Sequence, residues 1–139
     1  MKFLKIAMMA VVLAVSAGSV PAPAWADGDA AKGKRVFNKC KACHKLVAGK
    51  KAIGPSLHGI FGRTAGTVKK FRYSKDMKAA GAKGLVWSEK TMADFLTKPK
   101  PYIGKAIGKK KGRIKMAFGG LKKAKDRNNL IAYLKKATK

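Results

Sequence analysis

The chain has 139 residues, with 33 Lys and Arg against 6 Asp and Glu, for a formal net charge of +27. That length suits one small domain with a modest core of its own. Two cysteines exclude a disulfide-rich scaffold, and the six carboxylates, Asp27, Asp29, Asp76, Glu89, Asp94 and Asp126, show no pairing that suggests acid–base catalysis.

The chain begins with the pattern of an export signal. Met1-Lys2-Phe3-Leu4-Lys5 is a short basic start, and residues 6–18 are an apolar run. Pro21 and Pro23 break that run, and Ala24-Trp25-Ala26 is a small-x-small cleavage site. The run is shorter than the roughly 20 residues that span a bilayer core. The pattern therefore predicts a signal at residues 1–26, cleavage after Ala26, a periplasmic destination and a mature domain at residues 27–139. Losing Lys2 and Lys5 lowers the net charge from +27 to +25. In a cytosolic chain such a charge would point to nucleic acid. Export argues against that reading, and the basic residues are scattered along the whole chain. They fit steering toward an acidic protein partner, ahead of an anionic membrane face.

Asp29 is placed to cap a first helix over residues 30–39, with Val36 and Phe37 on its apolar side. Gly33 inside that helix predicts close approach by another helix. Then comes Cys40-Lys41-Ala42-Cys43-His44. A C-x-x-C-H run is an attachment site for a c-type haem, because both thiols can reach one porphyrin edge and the adjacent histidine can bind the iron. A zinc site would need more ligands than His58 and a few carboxylates offer, and a thioredoxin-like pair would need a βαβ context that is not seen. Pro55 follows in a Gly-rich loop. An iron-bound imidazole usually donates its other N–H to a carbonyl, and Pro55 is a plausible owner of that carbonyl.

Residues 59–66 read as loop carrying Arg63, followed by Phe71 and Tyr73. Ser74 caps a short helix over residues 75–80 that Gly81 ends. Trp87 follows, and Ser88 caps a helix over residues 89–97 with Met92, Phe95 and Leu96 as its stripe, stopped by Pro99. Residues 98–115 read as a basic loop. A last helix over residues 122–137 carries Leu130, Ile131, Tyr133 and Leu134 at helical spacing. The class is all-α: three to four short helices and long loops wrapped around one covalently bound haem. A haem to pack against accounts for the long loops, and the haem-free chain is expected to fold poorly.

The iron needs a sixth ligand. Met92 lies on a core stripe, Met77 sits among charged neighbours, and His58 is too near His44 in sequence to reach the opposite face. Met116 follows a flexible loop and precedes Ala117-Phe118-Gly119-Gly120. It is placed to drape over the far face of the ring, and His/Met ligation raises the potential and closes the iron.

These residues together resemble the class I c-type cytochromes, of the bacterial cytochrome c2 kind, and are similar to mitochondrial cytochrome c over nearly the whole mature chain. The resemblance rests on Gly33 and Phe37, Cys40 to His44, Gly54-Pro55, Gly62-Arg63, Tyr73, Trp87, Lys115-Met116 and Leu130 to Leu134. It implies one haem c held by Cys40 and Cys43 with His44 and Met116 as axial ligands. It also implies that the Pro55 carbonyl orients His44, that Arg63, Tyr73 and Trp87 hydrogen-bond a haem propionate, and that Gly33 and Phe37 pack against Leu130 and Tyr133. Three departures stand out. The loop of residues 104–115 is longer than in the mitochondrial form and strongly basic. Phe95 replaces a tyrosine near the methionine sulfur, and Lys78 replaces an asparagine.

The function implied is a soluble periplasmic electron carrier, not an enzyme. It would be monomeric and would bind no nucleic acid, docking acidic redox partners at a lysine-ringed haem edge. Its membrane-bound donor would be a cytochrome bc complex and its acceptor a terminal oxidase or photosynthetic reaction centre. The competing reading is a haem peroxidase or gas sensor with a labile Met116.

Overall fold

The computed structural model describes residues 28–50 and 52–139, so the expected signal and its cleavage site lie outside the described residues. Among the described residues five helices follow one another: α1 (Ala30–Phe37), α2 (Lys75–Ala82), α3 (Glu89–Thr97), α4 (Pro99–Ala106) and α5 (Ala124–Ala137). Among the described residues no helix is long and apolar enough to cross a membrane. The only pairing of β type among them is an isolated antiparallel bridge between Thr64 and Val86.

Caps set three of the helix starts. The Asp29 carboxylate accepts from the Ala31 and Lys32 amides and opens α1. Ser74 accepts from the Met77 amide and opens α2. Ser88 and Thr91 form a reciprocal capping box at the start of α3, whose bounds match the sequence reading. Two expectations need correction. Gly81 does not end α2, which runs on to Ala82. A Cβ at Gly81 would collide with the Ala65 carbonyl, so this glycine lets the helix touch the loop behind it. Gly84, with φ +91°, makes the turn instead. The second correction concerns residues 98–115, read as loop throughout. Pro99 stops α3 and also begins α4, because its fixed φ and missing N–H suit the first position of a helix.

The frame is the crossing of α1 and α5. A Cβ at Gly33 would meet the Asn129 carbonyl, and Phe37 packs on Tyr133 with ring centroids 5.5 Å apart. The Asn129 side chain accepts from the Asp29 amide at 2.8 Å. Leu130, Ile131 and Leu134 of α5 run inward to a core shared with Trp87, Met92, Phe95, Leu96 and Ile103. The close approach predicted for Gly33 is therefore real, and it joins segments 100 residues apart.

Candidate haem-binding site

A cavity of about 300 Å³ opens in the middle of this core. All eight residues singled out for the haem line it: Cys40, Cys43, His44, Pro55, Arg63, Tyr73, Trp87 and Met116. They come from six separate places along the chain: residues 40–44, 55, 63, 73, 87 and 116.

The histidine wall is built from local backbone bonds. The His44 amide donates to the Cys40 carbonyl at 2.9 Å, and the Gly54 amide donates to the Cys43 carbonyl at 2.8 Å. The second bond brings the loop after the motif back under His44. There the imidazole Nδ1 lies 2.8 Å from the Pro55 carbonyl oxygen. A carbonyl only accepts, so Nδ1 carries the proton and Nε2 is left with its lone pair for a metal. Gly54 is needed for this contact, since a Cβ there would sit 2.6 Å from His44 Cε1. Cys40 and Cys43 are half-buried, unpaired thiols rather than a disulfide. Burial pushes the Cys40 thiol above its ordinary value of 9.0.

Arg63 braces the same wall. Its guanidinium donates to the Ser56 carbonyl at 3.0 Å and to the His58 carbonyl at 2.9 Å. Two residues that closely follow Pro55 are thus fixed in place. Arg63 and Trp87 are set side by side by two paired backbone bonds. The Gly62 amide donates to the Trp87 carbonyl at 2.7 Å, and the Trp87 amide donates to the Arg63 carbonyl at 2.9 Å. Burial lowers the Arg63 pKa and raises that of the Tyr73 phenol, while the Arg63 charge acts in the opposite direction on Tyr73. His58 does not line the cavity, in keeping with its rejection as a ligand.

The methionine wall is an extended strip. Ile114, Met116 and Phe118 are half-buried, whereas Lys115, Ala117 and Gly119 are exposed. This alternation turns Met116 toward the core. Met92 and Met77 also line the cavity, Met92 as a buried member of the α3 stripe. Phe95, read above as standing where the mitochondrial form has a tyrosine, stacks edge-on against Trp87 at 5.0 Å and against Tyr102 at 6.1 Å. The departure placed at Lys78 needs correction, because Lys78 is exposed and outside the lining, while its neighbour Met77 faces the cavity.

The donor set fits a c-type haem. Two thiols two residues apart, a histidine with one free nitrogen and a thioether line one apolar cavity. No group of three or more His, Cys, Asp or Glu that could hold a bare metal ion occurs among the described residues. A fold of short helices around such a site defines a protein with a covalently attached haem. Comparison with known proteins places it further. The cytochrome c family model matches residues 30–138. The cytochrome c2 of Rhodobacter capsulatus is 40% identical over 132 residues, covering 90% of this chain and 93% of that protein. The cytochrome c2 of Afifella marina is 44% identical over 106 residues, covering 76% and 79%. The solved structure of cytochrome c2 from Rhodospirillum centenum superposes with a TM-score of 0.74 at 37% identity, covering 81% of this chain and all of that one. The chain belongs to the cytochrome c family. It is an electron-transfer protein with one covalent haem c, not an enzyme.

Proposed function

We propose that this protein is a soluble, periplasmic one-electron carrier that takes electrons from a membrane complex, such as a cytochrome bc complex, and delivers them to a terminal oxidase or a photosynthetic reaction centre. Bound haem supplies the Fe(III)/Fe(II) couple. Cys40 and Cys43 would hold the haem covalently, and His44, oriented by the Pro55 carbonyl, would ligate its iron together with Met116. Arg63, Tyr73 and Trp87 would receive the propionates, with Arg63 also bracing the loop that carries Pro55. The observation that carries the reading is that His44 and Met116 share one apolar cavity, which leaves no position for a substrate.

Lys39 and Lys115 stand among the lining residues, and Ile53 at the rim is 80% exposed. An apolar edge flanked by lysines suits brief, salt-sensitive docking of an acidic partner. The basic start and apolar run of residues 1–18 support export, with cleavage after Ala26.

The test is a spectroelectrochemical titration of the holo-protein, repeated under CO. One wave at a clearly positive potential, with no CO shift of the ferrous spectrum, is the expected result. A low potential or ready CO binding at neutral pH would favour the peroxidase or gas-sensor reading instead.

A further inference from the structure

The loop between α4 and Met116 carries Lys109, Lys110, Lys111, Arg113 and Lys115 within seven residues. Self-repulsion alone would drive it into solvent. Among the described residues, three ties hold its charged part. The Lys109 amide donates to the Gly104 carbonyl at 2.8 Å, and the Gly112 amide donates to the Lys100 carbonyl at 2.8 Å. The third tie is Asp76 of α2. Its Oδ2 accepts from the Arg113 amide at 2.7 Å and its Oδ1 from Lys109 Nζ at 3.0 Å. Asp76 is buried, with 8% of its surface exposed.

An acidic residue in the first turn of a helix ordinarily serves that helix's own free amides. Here both oxygens of Asp76 are turned outward to the loop. The helix that carries it is rigidly seated, since Ala80 is fully buried and Gly81 touches the Ala65 carbonyl. Beyond Arg113, residues 114–120 make no backbone hydrogen bond among the described residues. The next tie is the Leu121 amide on the Leu96 carbonyl at 2.7 Å, beside Gly120, which adopts φ +103° against the Thr97 carbonyl. The strip that carries Met116 is therefore slung between α2 and the end of α3, and Asp76 is its upstream fixing point.

We propose that Asp76 is a positioning residue for the methionine side of the site: its carboxylate clamps the basic loop at Lys109 and Arg113 and so keeps Met116 seated over the cavity. The clamp sets how often the strip lifts, and hence how readily an outside ligand reaches the iron. This inference rests on Met116 being the sixth ligand.

The test is titration of the ferric holo-protein with imidazole, which binds only where Met116 has moved away. The apparent affinity scales with the fraction of open strip. Asp76→Ala, losing both hydrogen bonds, should tighten imidazole binding on the order of tenfold. Lys109→Ala, losing one partly exposed ion pair, should tighten it roughly two- to fivefold. Asp76→Asn, which keeps an acceptor for the Arg113 amide but loses the charge, should fall between them. Amide exchange at Lys109 and Gly112 should accelerate in the same order, with α1 and α5 unchanged. Should Asp76→Ala fail to accumulate, the other two variants carry the test. Unchanged imidazole affinity in the variants, or faster exchange spread evenly over the protein, would overturn the clamp. Met116→Ala serves as the control: if it too leaves imidazole binding unchanged, the ligand assignment falls rather than the clamp alone.

Discussion

The two walls of the cavity are held in different ways. On the histidine side every few residues carry a tie: Cys43 and His44 to Cys40, Gly54 to Cys43, Leu57 to Lys45, and the imidazole to Pro55. Ser56 adds a side-chain bond to the Val47 carbonyl at 2.8 Å. On the methionine side residues 114–120 hang between Arg113 and Leu121 with no backbone bond among the described residues. Local stability follows the density of such ties. The histidine wall is a fixed mount, and the methionine wall is the one that can open.

Withholding haem should do the most damage, because it leaves an apolar cavity of about 300 Å³ inside a chain that already repels itself. Circular dichroism and thermal melts of the haem-free chain should show little cooperative structure. His44→Ala should come close to that outcome, with little holo-protein recovered. Met116→Ala should separate the walls. It should cost about 2 kcal/mol as a half-buried methionine, leave the fold intact, turn the ferric iron high-spin and lower the potential, all visible by absorption spectroscopy and voltammetry. A matched pair of glycines sharpens the contrast. Gly54→Ala would press on the imidazole and should cost about 1–3 kcal/mol by denaturant titration. Gly119→Ala, with no other atom within 4 Å of the new methyl, should change stability by less than about 0.5 kcal/mol.

Acid gives the smallest and most local effect. The Arg113 amide first, and Lys109 second, hold the Asp76 carboxyl below its ordinary value of 3.8. A lowered carboxyl stabilises the fold fully above its unfolded-state value and loses that contribution as pH falls through its folded value. The charged groups acting on it are Lys109 and Arg113. Imidazole affinity should therefore rise as pH drops below about 4, once corrected for protonation of imidazole itself. Asp29 is lowered too, chiefly by the Lys32 amide, so the α1 cap weakens in the same range. Ligand exchange rather than helicity is the readout that distinguishes the two.

Much of the site could be read from sequence because its signals are local. The C-x-x-C-H motif, the Pro55 partner and the Asp29, Ser74 and Ser88 caps each depend on residues a few positions apart, and each sits as expected. Gly33 was legible for a different reason: a glycine in mid-helix needs a cause, and Asn129 supplies one. What escaped was of two kinds. Pro99 and Gly81 are residues with two meanings, stop or start for one and turn or close contact for the other, and only the neighbouring chain decides between them. Asp76 is a partnership across 37 residues with no spacing rule to announce it. The one available hint was charge: six carboxylates serve a chain with 33 Lys and Arg, five of which crowd residues 109–115. The alternation of Ile114, Met116 and Phe118 was a second readable signal, hidden by the Gly-rich stretch after it.

The crossing of α1 with α5 has a bearing on the order of events during biogenesis. The contact that shuts the core brings Asp29 and Gly33 onto Asn129, so the chain cannot close on itself until α5 has emerged. Until then Cys40 and Cys43 lie on chain that α5 has not yet packed against. Late closure of so distant a pair is slow in itself, and it grants the attachment machinery an interval in which both thiols are accessible.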